Sequence, residues 1–460
     1  MQENFDVVIA GGGPAGASAA TLLAQYGHRV LVLERERFPR FHIGESLLPA
    51  LWPLWERLGV TEKLREIGFV VKQGVNFRLF NDPDQVKLFA GEFPQYFVCP
   101  WTYHVERSKF DEILLDNAAE NGAEVRQEWT VADVLMEGDR AVGIVAGPND
   151  GPTHEIRAQV VIDATGRNCL LSRKLGLRRP DPALNKISHF AHFQGAPREF
   201  TMDPDLPESV MTDIHSVEGG WIWYIPLRDD LVSVGVVLDA KYAGHLKGPQ
   251  KRFDYAIETC PVVKNALAGS RQITEMHTIS NISYLNDSFV GDGYAMIGDA
   301  SMFVDPIFSA GVTIAIRGGI LAAEAIHEGL TTGDTSAERL RTYEDQIRHP
   351  MSRIFKMIRN WYDLLARGDS ASNIFKLSQR APLLRERMIV MFSGGYDKVD
   401  LDGILSAAVE CEQAAALAAL NADALAPTDG LALALRQRRG KRENDPGTQG
   451  AAPAGAAQQS

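Results

Sequence analysis

The sequence contains few cysteines and no regular cysteine spacing. Its 460 residues include four cysteines, and no two of them form a CxxC pair. Disulfide frameworks and zinc sites both need cysteines or histidines at short intervals, so the sequence predicts neither a disulfide framework nor a bound metal. The thiols are Cys99, Cys169, Cys260 and Cys411.

Long apolar runs and an excess of basic residues are also missing. No uninterrupted apolar stretch reaches the roughly 18 residues that a membrane-spanning helix needs. The acidic start around Glu3 does not resemble a secretory signal, and the net charge of −12 disfavours nucleic-acid binding. We therefore expect a cytoplasmic protein without nucleic-acid partners or stable membrane association.

The first functional motif is a glycine-rich turn between a predicted strand and a predicted helix. The apolar segment Phe5 to Ala10 leads into Gly11, Gly13 and Gly16, which have the spacing GxGxxG. A second predicted strand ends at Glu34, where an acidic residue would hold a ribose hydroxyl. These features predict a Rossmann-type dinucleotide site with its pyrophosphate at the start of the helix.

Three later segments favour FAD over NAD as the dinucleotide. They read VIDATG from Val161, MIGDA from Met296 and HVER from His104. In their order along the chain, HVER, VIDATG and MIGDA, they resemble motifs of FAD-dependent enzymes built like aromatic-ring hydroxylases. In that family the aspartate at the position of Asp299 holds the flavin ribityl chain, and the arginine at the position of Arg107 touches the cofactor.

The resemblance implies an α/β fold with a Rossmann-like FAD-binding domain, an antiparallel β-sheet substrate domain and a helical C-terminal region. The predicted hairpin strands and the later helical spacing agree with this order. We predict an FAD-binding module at residues 1–75, 102–185 and 285–330, a substrate domain at 76–101 and 186–284, a helical region at 331–435 and a disordered tail at 436–460.

Four further segments resemble flavin-dependent halogenases of the phenol and pyrrole group. The stretch Trp221 to Pro226 matches the WxWxIP signature of these enzymes, and residues 305–312 resemble their DPxFSxGV segment. Residues 37–49 resemble the segment that follows the ribose-binding acid in the same enzymes. Lys72 lies near the position of their essential lysine. The resemblance covers about residues 5–330.

The aromatic hexapeptide can be interpreted as an apolar barrier between flavin and substrate. Trp221 and Trp223 are two residues apart on a predicted strand and therefore face the same side, followed by Ile225 and Pro226. If they stand between flavin and substrate, an organic ring cannot reach the activated oxygen, whereas a halide can. Taken by periodicity alone, both tryptophans are equally typical of a half-buried core strand.

Lys72 is the candidate catalytic residue. A desolvated ammonium can hydrogen-bond and polarise hypohalous acid, and a neutral amine could instead form a haloamine. The surrounding Phe69, Val70 and Val71 favour burial of this lysine. Lys63 and Lys87 are nearby in sequence, so the alignment register leaves an alternative.

The resemblance places the halide beside Ser309, Ala310 and Gly311. Gly311 can adopt backbone dihedrals that other residues avoid, and its neighbours offer N–H groups without competing polar side chains. The same segment also predicts the start of a helix, and a helix start is itself an anion site. Phe308 stands where tryptophan halogenases carry a glutamate, which favours a more reactive ring such as a phenol or pyrrole.

The resemblance implies FAD, used as FADH2, with chloride or bromide as co-substrate. It also implies a separate flavin reductase and a small aromatic substrate, free or tethered to an acyl or peptidyl carrier protein. The cofactor contacts expected from the matching motifs are Gly11, Gly13, Pro14, Ala15, Gly16, Glu34, Arg40, Ile43, Ser46, Arg107, Asp299, Pro306, Gly311 and Val312.

Three other functions share the flavin motifs. A flavin-dependent aromatic monooxygenase would hydroxylate its substrate without halide, and a geranylgeranyl-reductase-like enzyme would reduce alkenes in a long apolar tunnel. A flavin-binding protein without catalytic activity would show no turnover. His104 and His192 are each predicted to be structural, because an isolated histidine is more often a satisfied structural residue.

Overall fold

The glycine-rich segment lies at the centre of a mainly parallel sheet, here named the first sheet. Strand Glu3–Ala10 pairs in parallel with Val30–Glu34 on one side and with His154–Asp163 on the other. The computed structural model describes residues 3–78, 85–198, 202–203, 206–228, 230–280, 282–366, 382–396 and 398. Within these ranges the first sheet consists of Glu3–Ala10, Val30–Glu34, Glu124–Gln127, Trp129–Glu137, Arg140–Pro148, His154–Asp163, Val290–Gly291 and Tyr294–Met296.

The central strands are almost continuously apolar because both of their faces are covered. Val7, Val8 and Ile9 are completely buried, as expected for a parallel sheet that packs against helices. Helix Pro14–Gln25 packs against both Arg107–Glu120 and Gly311–Thr332. This packing brings the glycine-rich turn and the DPxFSxGV segment into one region.

The aromatic hexapeptide lies in a second sheet, which is antiparallel except for one pair. Strand Val70–Arg78 runs parallel to Leu206–Val217, whereas Leu206–Val217, Gly220–Arg228 and Leu231–Asp239 pair in antiparallel order. The described strands of this sheet are Val70–Arg78, Gln85–Phe89, Thr102–His104, Lys186–Gln194, Met202–Asp203, Leu206–Val217, Gly220–Arg228, Leu231–Asp239, Arg271–Gln272 and His277–Ser280.

The two faces of the second sheet pack against different partners. Trp221, Trp223 and Ile225 belong to the large core shared with the first sheet. Ile222 and Tyr224 alternate with them and belong to a separate core that includes residues of helices Pro249–Glu258 and Pro261–Ala266. The alternation predicted for a strand therefore places the hexapeptide tryptophans on the side of the nucleotide-binding module.

The remaining elements are a small sheet and several helices. The small sheet joins Arg178–Pro180, Tyr284–Asn286 and Met302–Phe303. The described α-helices are Pro14–Gln25, Trp52–Leu58, Thr61–Ile67, Arg107–Glu120, Leu170–Lys174, Ala240–Ala243, Pro249–Glu258, Pro261–Ala266, Gly311–Thr332, Ala337–Ala366 and Pro382–Phe392. Short 3-10 helices lie at Pro49–Leu51, Ala90–Glu92, Pro94–Tyr96, Gly166–Asn168, Pro182–Leu184, Gly298–Ala300 and Pro306–Phe308.

This architecture confirms the predicted α/β fold with C-terminal helices. The predicted domain limits stay a prediction: strand Val70–Arg78 crosses the proposed limit between residues 75 and 76, and Thr102–His104 pairs with this strand. The predicted tail at 436–460 and Cys411 lie outside the described residues. In the described part of the chain, none of the helices combines the length and apolar character needed to cross a bilayer.

Candidate active site

The glycine-rich turn forms a backbone cradle at the start of helix Pro14–Gln25. Gly11 adopts a left-handed φ of +108°, and a Cβ atom on Gly16 would lie 2.0 Å from the carbonyl oxygen of Gly11. Glu34 accepts a hydrogen bond from the Gly12 N–H at 2.8 Å and is 6% exposed. The cradle therefore has the open backbone and the acidic residue that a dinucleotide needs.

Arg107 connects a carboxylate of its own helix to the loop that contains Ile43. Its guanidinium donates to both carboxylate oxygens of Asp111, at 2.7 and 2.8 Å, and to the carbonyl of Ile43 at 2.5 Å. Arg40 lies 3.2 Å from the same carboxylate. The structure therefore shows Arg107 as an anchor for Ile43, whereas the resemblance places it in direct contact with the cofactor.

Asp299 lies at the other side of the cradle, in the 3-10 helix Gly298–Ala300. Burial raises the pKa of Asp299 to about 6, although the charges of Arg167 and Arg107 lower it. The other motif aspartate, Asp163, uses its carboxylate to accept hydrogen bonds from Thr165 and from the Leu171 N–H. Asp163 thus stabilises its own turn, and a contact of Asp299 with the flavin ribityl chain stays a prediction.

The residues around this cradle fit a large polar cofactor. Two buried polar atoms of this region have no hydrogen-bond partner within the described part of the chain, namely Glu45 Oε2 and Thr313 Oγ1. Buried polar groups are normally satisfied, so each of these needs a further partner. A dinucleotide with ring, ribityl and phosphate groups supplies partners of this kind, and the site accordingly fits FAD.

Lys72 lies on strand Val70–Arg78 and is 5% exposed. Its Nζ donates to Ser46 Oγ at 2.9 Å and to the Leu47 carbonyl at 2.8 Å. Burial lowers the pKa of Lys72 from 10.5 to about 7. No carboxylate of the described residues forms an ion pair with Lys72. Ser46, expected to contact the cofactor, here contacts Lys72.

Of the alternative lysines, Lys63 pairs with Glu120 at the surface and is 35% exposed. Lys63 therefore forms an ordinary surface ion pair, whereas Lys72 is buried. Lys72 also lines a cavity, which in this structure has room for about a single water molecule. The cavity is lined by Pro49, Lys72, Gln73, Gly74, Val75, Leu88, Ala90, Thr102, Phe392 and Ser393.

Phe308 lies behind the cavity and is separated from it by the ring of Phe392. Its ring lies 4.7 Å, centre to centre, from that of Phe392 in an edge-to-face arrangement, and Phe392 lines the cavity. Phe77 lies 5.2 Å from Phe392 on another side. The last described helix, Pro382–Phe392, thus covers the cavity beside Lys72, with Phe308 behind it.

The hexapeptide and the DPxFSxGV segment are joined by a tyrosine from a C-terminal helix. Trp221 Nε1 donates to Tyr362 Oη at 2.8 Å, and Tyr362 Oη donates to Asp305 Oδ2 at 3.0 Å. Burial raises the pKa of Asp305 to about 6. The two motifs are therefore in hydrogen-bonded contact through helix Ala337–Ala366.

Trp223 begins an aromatic group on the same face of the second sheet. Its indole N–H donates to Ser233 Oγ at 3.1 Å, and its ring lies 5.7 Å from Phe190. Phe190 stacks with His277, which stacks in turn with Phe41 at 4.2 Å. Ile225 continues this face along the same strand, and Pro226 follows it with the opposite orientation.

The predicted halide segment begins a long helix. Helix Gly311–Thr332 follows Ala310 as its N-cap, and Ser309 has a left-handed φ of +54°. Gly311 does not adopt a left-handed φ, so our expectation that its dihedrals shape the site was wrong, and Ser309 makes the turn instead. The first-turn N–H groups, which include Val312, remain available for an anion. Pro306 opens the preceding 3-10 helix, where Asp305 accepts from the Ile307 N–H.

Several residues of the site were not identified from the sequence. No sequence motif assigns Tyr362, Phe392 or Thr212 to the site. His192, predicted to be structural, forms a 2.6 Å hydrogen bond with the buried Glu45. These residues come from distant parts of the chain, and no local motif marks them. The described residues include no group of three or more His, Cys, Asp or Glu arranged for a metal ion.

Comparisons with known proteins agree with this geometry. The family model for an FAD binding domain matches residues 4–356. The chain is 33% identical over 410 residues to a 1H-pyrrole-2-carbonyl-(peptidyl-carrier protein) chlorinase of Pseudomonas fluorescens, covering 85% of this chain and 89% of that protein. It is 35% identical over 338 residues to the corresponding brominase of Pseudoalteromonas luteoviolacea, covering 72% and 79%.

Solved structures show the same relationship. The flavin-dependent brominase Bmp2 superposes with a TM-score of 0.78 at 30% identity, covering 89% of this chain and 99% of that chain. The myxobacterial chondrochloren halogenase CndH superposes with a TM-score of 0.71 at 34% identity, covering 77% and 82%. Sequence motifs, site geometry and the three comparisons lead to one assignment: the chain belongs to the FAD-binding flavoproteins and, within them, to the flavin-dependent halogenases.

Proposed function

We propose that this halogenase chlorinates or brominates a pyrrole ring carried as a thioester on a carrier protein. Two of its relatives are named for that substrate, one with chloride and one with bromide. Phe308 provides no carboxylate behind the pocket, which suits a ring that is reactive without one. The reduced cofactor comes from a separate flavin reductase.

The environment of Lys72 is the observation that carries the proposed lysine-assisted halogenation. The amine is buried, makes no ion pair with a described carboxylate, and lines a cavity. A lysine in such a position gains nothing in stability from its charge, because burial disfavours the charged form. A strongly perturbed lysine beside a cavity is a candidate for a chemical role.

When bound, FADH2 would supply, together with O2, the oxidising power that converts halide into hypohalous acid. Lys72 then holds the hypohalous acid in one of two ways. As an ammonium it donates a hydrogen bond to the oxygen and leaves the halogen electrophilic. As an amine it forms an N–halogen bond while water leaves. The ring carbon takes the halogen in both cases, and its proton is released.

The surrounding residues restrict which molecules react. Trp221 and Trp223 present a rigid apolar face between the nucleotide-binding module and the rest of the second sheet. The N–H groups at the start of helix Gly311–Thr332 hold the halide on the nucleotide side. The cavity beside Lys72 is smaller than a pyrrole ring, so Phe392 and its helix move aside when the substrate enters.

The experiment supplies the enzyme with a flavin reductase, FAD, NADH and either chloride or bromide. The substrates are carrier-bound pyrrole-2-carbonyl, the free pyrrole acid and a panel of phenols, and the halogen isotope pattern identifies each product by mass. We expect halogenation of the carrier-bound pyrrole above the other substrates. Halogenated phenols alone would move the substrate class to phenols, and oxygenated products without halogen would overturn the proposal.

A further inference from the structure

A chain of buried polar groups leads from Lys72 into the second sheet. Lys72 Nζ donates to Ser46 Oγ at 2.9 Å, Ser46 Oγ lies 2.7 Å from Thr212 Oγ1, and Thr212 Oγ1 lies 2.8 Å from His104 Nε2. None of these side chains is more than 5% exposed. The residues come from the loop after the second strand and from three strands of the second sheet.

The direction of the hydrogen bonds in this chain depends on Lys72 at one end and on the protonated nitrogen of His104 at the other. A lysine ammonium can only donate, so Ser46 must accept from Lys72. Burial first, and the nearby charge of Lys72 second, lower the pKa of His104 well below its usual range, so its ring is neutral. A neutral imidazole has one accepting nitrogen. When His104 carries its proton on Nδ1, the hydrogens run in one direction: Lys72 donates to Ser46, Ser46 to Thr212, and Thr212 to His104 Nε2.

This direction fixes the reactive position of the Lys72 nitrogen. Ser46 and the Leu47 carbonyl, which lies 2.8 Å from Nζ, occupy two of its N–H groups. The remaining tetrahedral position carries an N–H in the ammonium and a lone pair in the amine. Without the acceptor on His104, the hydroxyl of Ser46 could turn and donate to that lone pair, which would block the position.

We propose that Thr212 and His104 are positioning residues that hold two N–H groups of Lys72 through Ser46 and so keep the third position of the nitrogen free for the halogen. This inference rests on the proposed role of Lys72. Neither residue touches the substrate or the cofactor in this proposal; both act through Ser46.

The test compares Thr212→Val with Thr212→Ser. Valine keeps the shape of threonine and removes the hydroxyl, whereas serine keeps the hydroxyl. Ser216→Ala, a hydroxyl deletion four residues further along the same strand, is the matched control. Each variant is assayed for FAD affinity, FADH2 consumption, halogenated product, and free hypohalous acid captured by a small-molecule trap.

We expect Thr212→Val to lower kcat for halogenation about 10- to 100-fold, because small displacements of a reacting group cost rates of this order. FAD affinity, substrate KM and FADH2 consumption stay unchanged, and trapped hypohalous acid increases. Thr212→Ser and Ser216→Ala remain within about threefold of the wild type. A Thr212→Val enzyme with wild-type kcat, or one that loses FAD binding in proportion to activity, would overturn the inference.

A parallel assay of Lys72→Met separates this inference from the proposed function. If Lys72→Met halogenates normally, the role of Lys72 is wrong and the positioning chain has no purpose. If Lys72→Met is inactive while Thr212→Val matches the wild type, the role of Lys72 stands and only the chain is refuted.

Discussion

The nucleotide cradle and the Lys72 pocket are built in different ways. At the cradle, Gly11 to Gly16 present backbone groups, and the supporting Glu34 follows on the adjacent strand. At the pocket, Lys72 is held by a loop residue, Ser46, and covered by Phe392 from a helix more than 300 residues later in sequence. The cradle depends on backbone shape, and the pocket depends on side chains that meet only in the folded chain.

This difference explains the energetic character of each region. The cradle is intolerant of added atoms because backbone carbonyls lie where a Cβ would be. The pocket lowers the stability of the folded chain in another way, since it buries an ammonium or amine group with few polar partners. A change at the cradle should therefore act through cofactor binding, and a change at the pocket should act through chemistry and stability.

The largest expected effect concerns the cradle. Gly16→Ala places a Cβ 2.0 Å from the carbonyl oxygen of Gly11, and a backbone atom cannot move aside cheaply. We expect FAD affinity to fall at least about 100-fold, as measured by flavin fluorescence titration. Gly91→Ala, where an added Cβ meets nothing within 4 Å, should bind FAD like the wild type. Equal affinity for Gly16→Ala would contradict the close packing of the turn.

The next prediction concerns the connection between the two regions. Tyr362→Phe leaves Trp221 Nε1 and Asp305 Oδ2 without the hydroxyl that they share. We expect the free energy of unfolding to fall by about 2 kcal/mol, because buried polar groups lose their partner. Tyr26→Phe removes a hydroxyl that accepts from the exposed Arg57 and should cost less than about 0.5 kcal/mol. Chemical denaturation of both variants provides the comparison, and equal losses would refute it.

The smallest effect is a gain in stability at the pocket. Burial holds the pKa of Lys72 near 7 in the folded chain, against 10.5 when unfolded. Between these values the unfolded chain binds the proton and the folded chain does not, so the stability of the wild type increases as pH rises through this window. Lys72→Met has no titrating amine at this position, so we expect it to be more stable than the wild type at pH 7 and to lose this gain as the pH rises towards 10.

Thermal unfolding at several pH values measures this advantage. The matched control is Lys109→Met, because Lys109 is 50% exposed and its charge is already solvated. This variant should show no comparable gain. If Lys72→Met were less stable than the wild type at pH 7, the two hydrogen bonds of Lys72 would outweigh the cost of its burial.

The sequence was sufficient to predict the cradle, because strand, turn, helix and Glu34 follow local rules. Periodicity also placed Trp221 and Trp223 on one face. Contacts between distant segments could not be predicted in this way: the tyrosine that joins Trp221 to Asp305 and the hydroxyl chain behind Lys72 depend on tertiary packing. Backbone conformation was the other limit, since the left-handed residue before the halide helix is Ser309 and not the more permissive Gly311.

We propose that the cradle governs oxidant formation, while Lys72 directs the oxidant to the substrate. Lys72→Met, supplied with reductase, FAD, NADH, bromide and carrier-bound pyrrole, tests this claim in one assay of trapped hypohalous acid and brominated product. We predict wild-type FAD affinity and wild-type hypohalous acid formation, with brominated pyrrole reduced at least about 100-fold. Brominated pyrrole at the wild-type rate would show that Lys72 does not direct the oxidant.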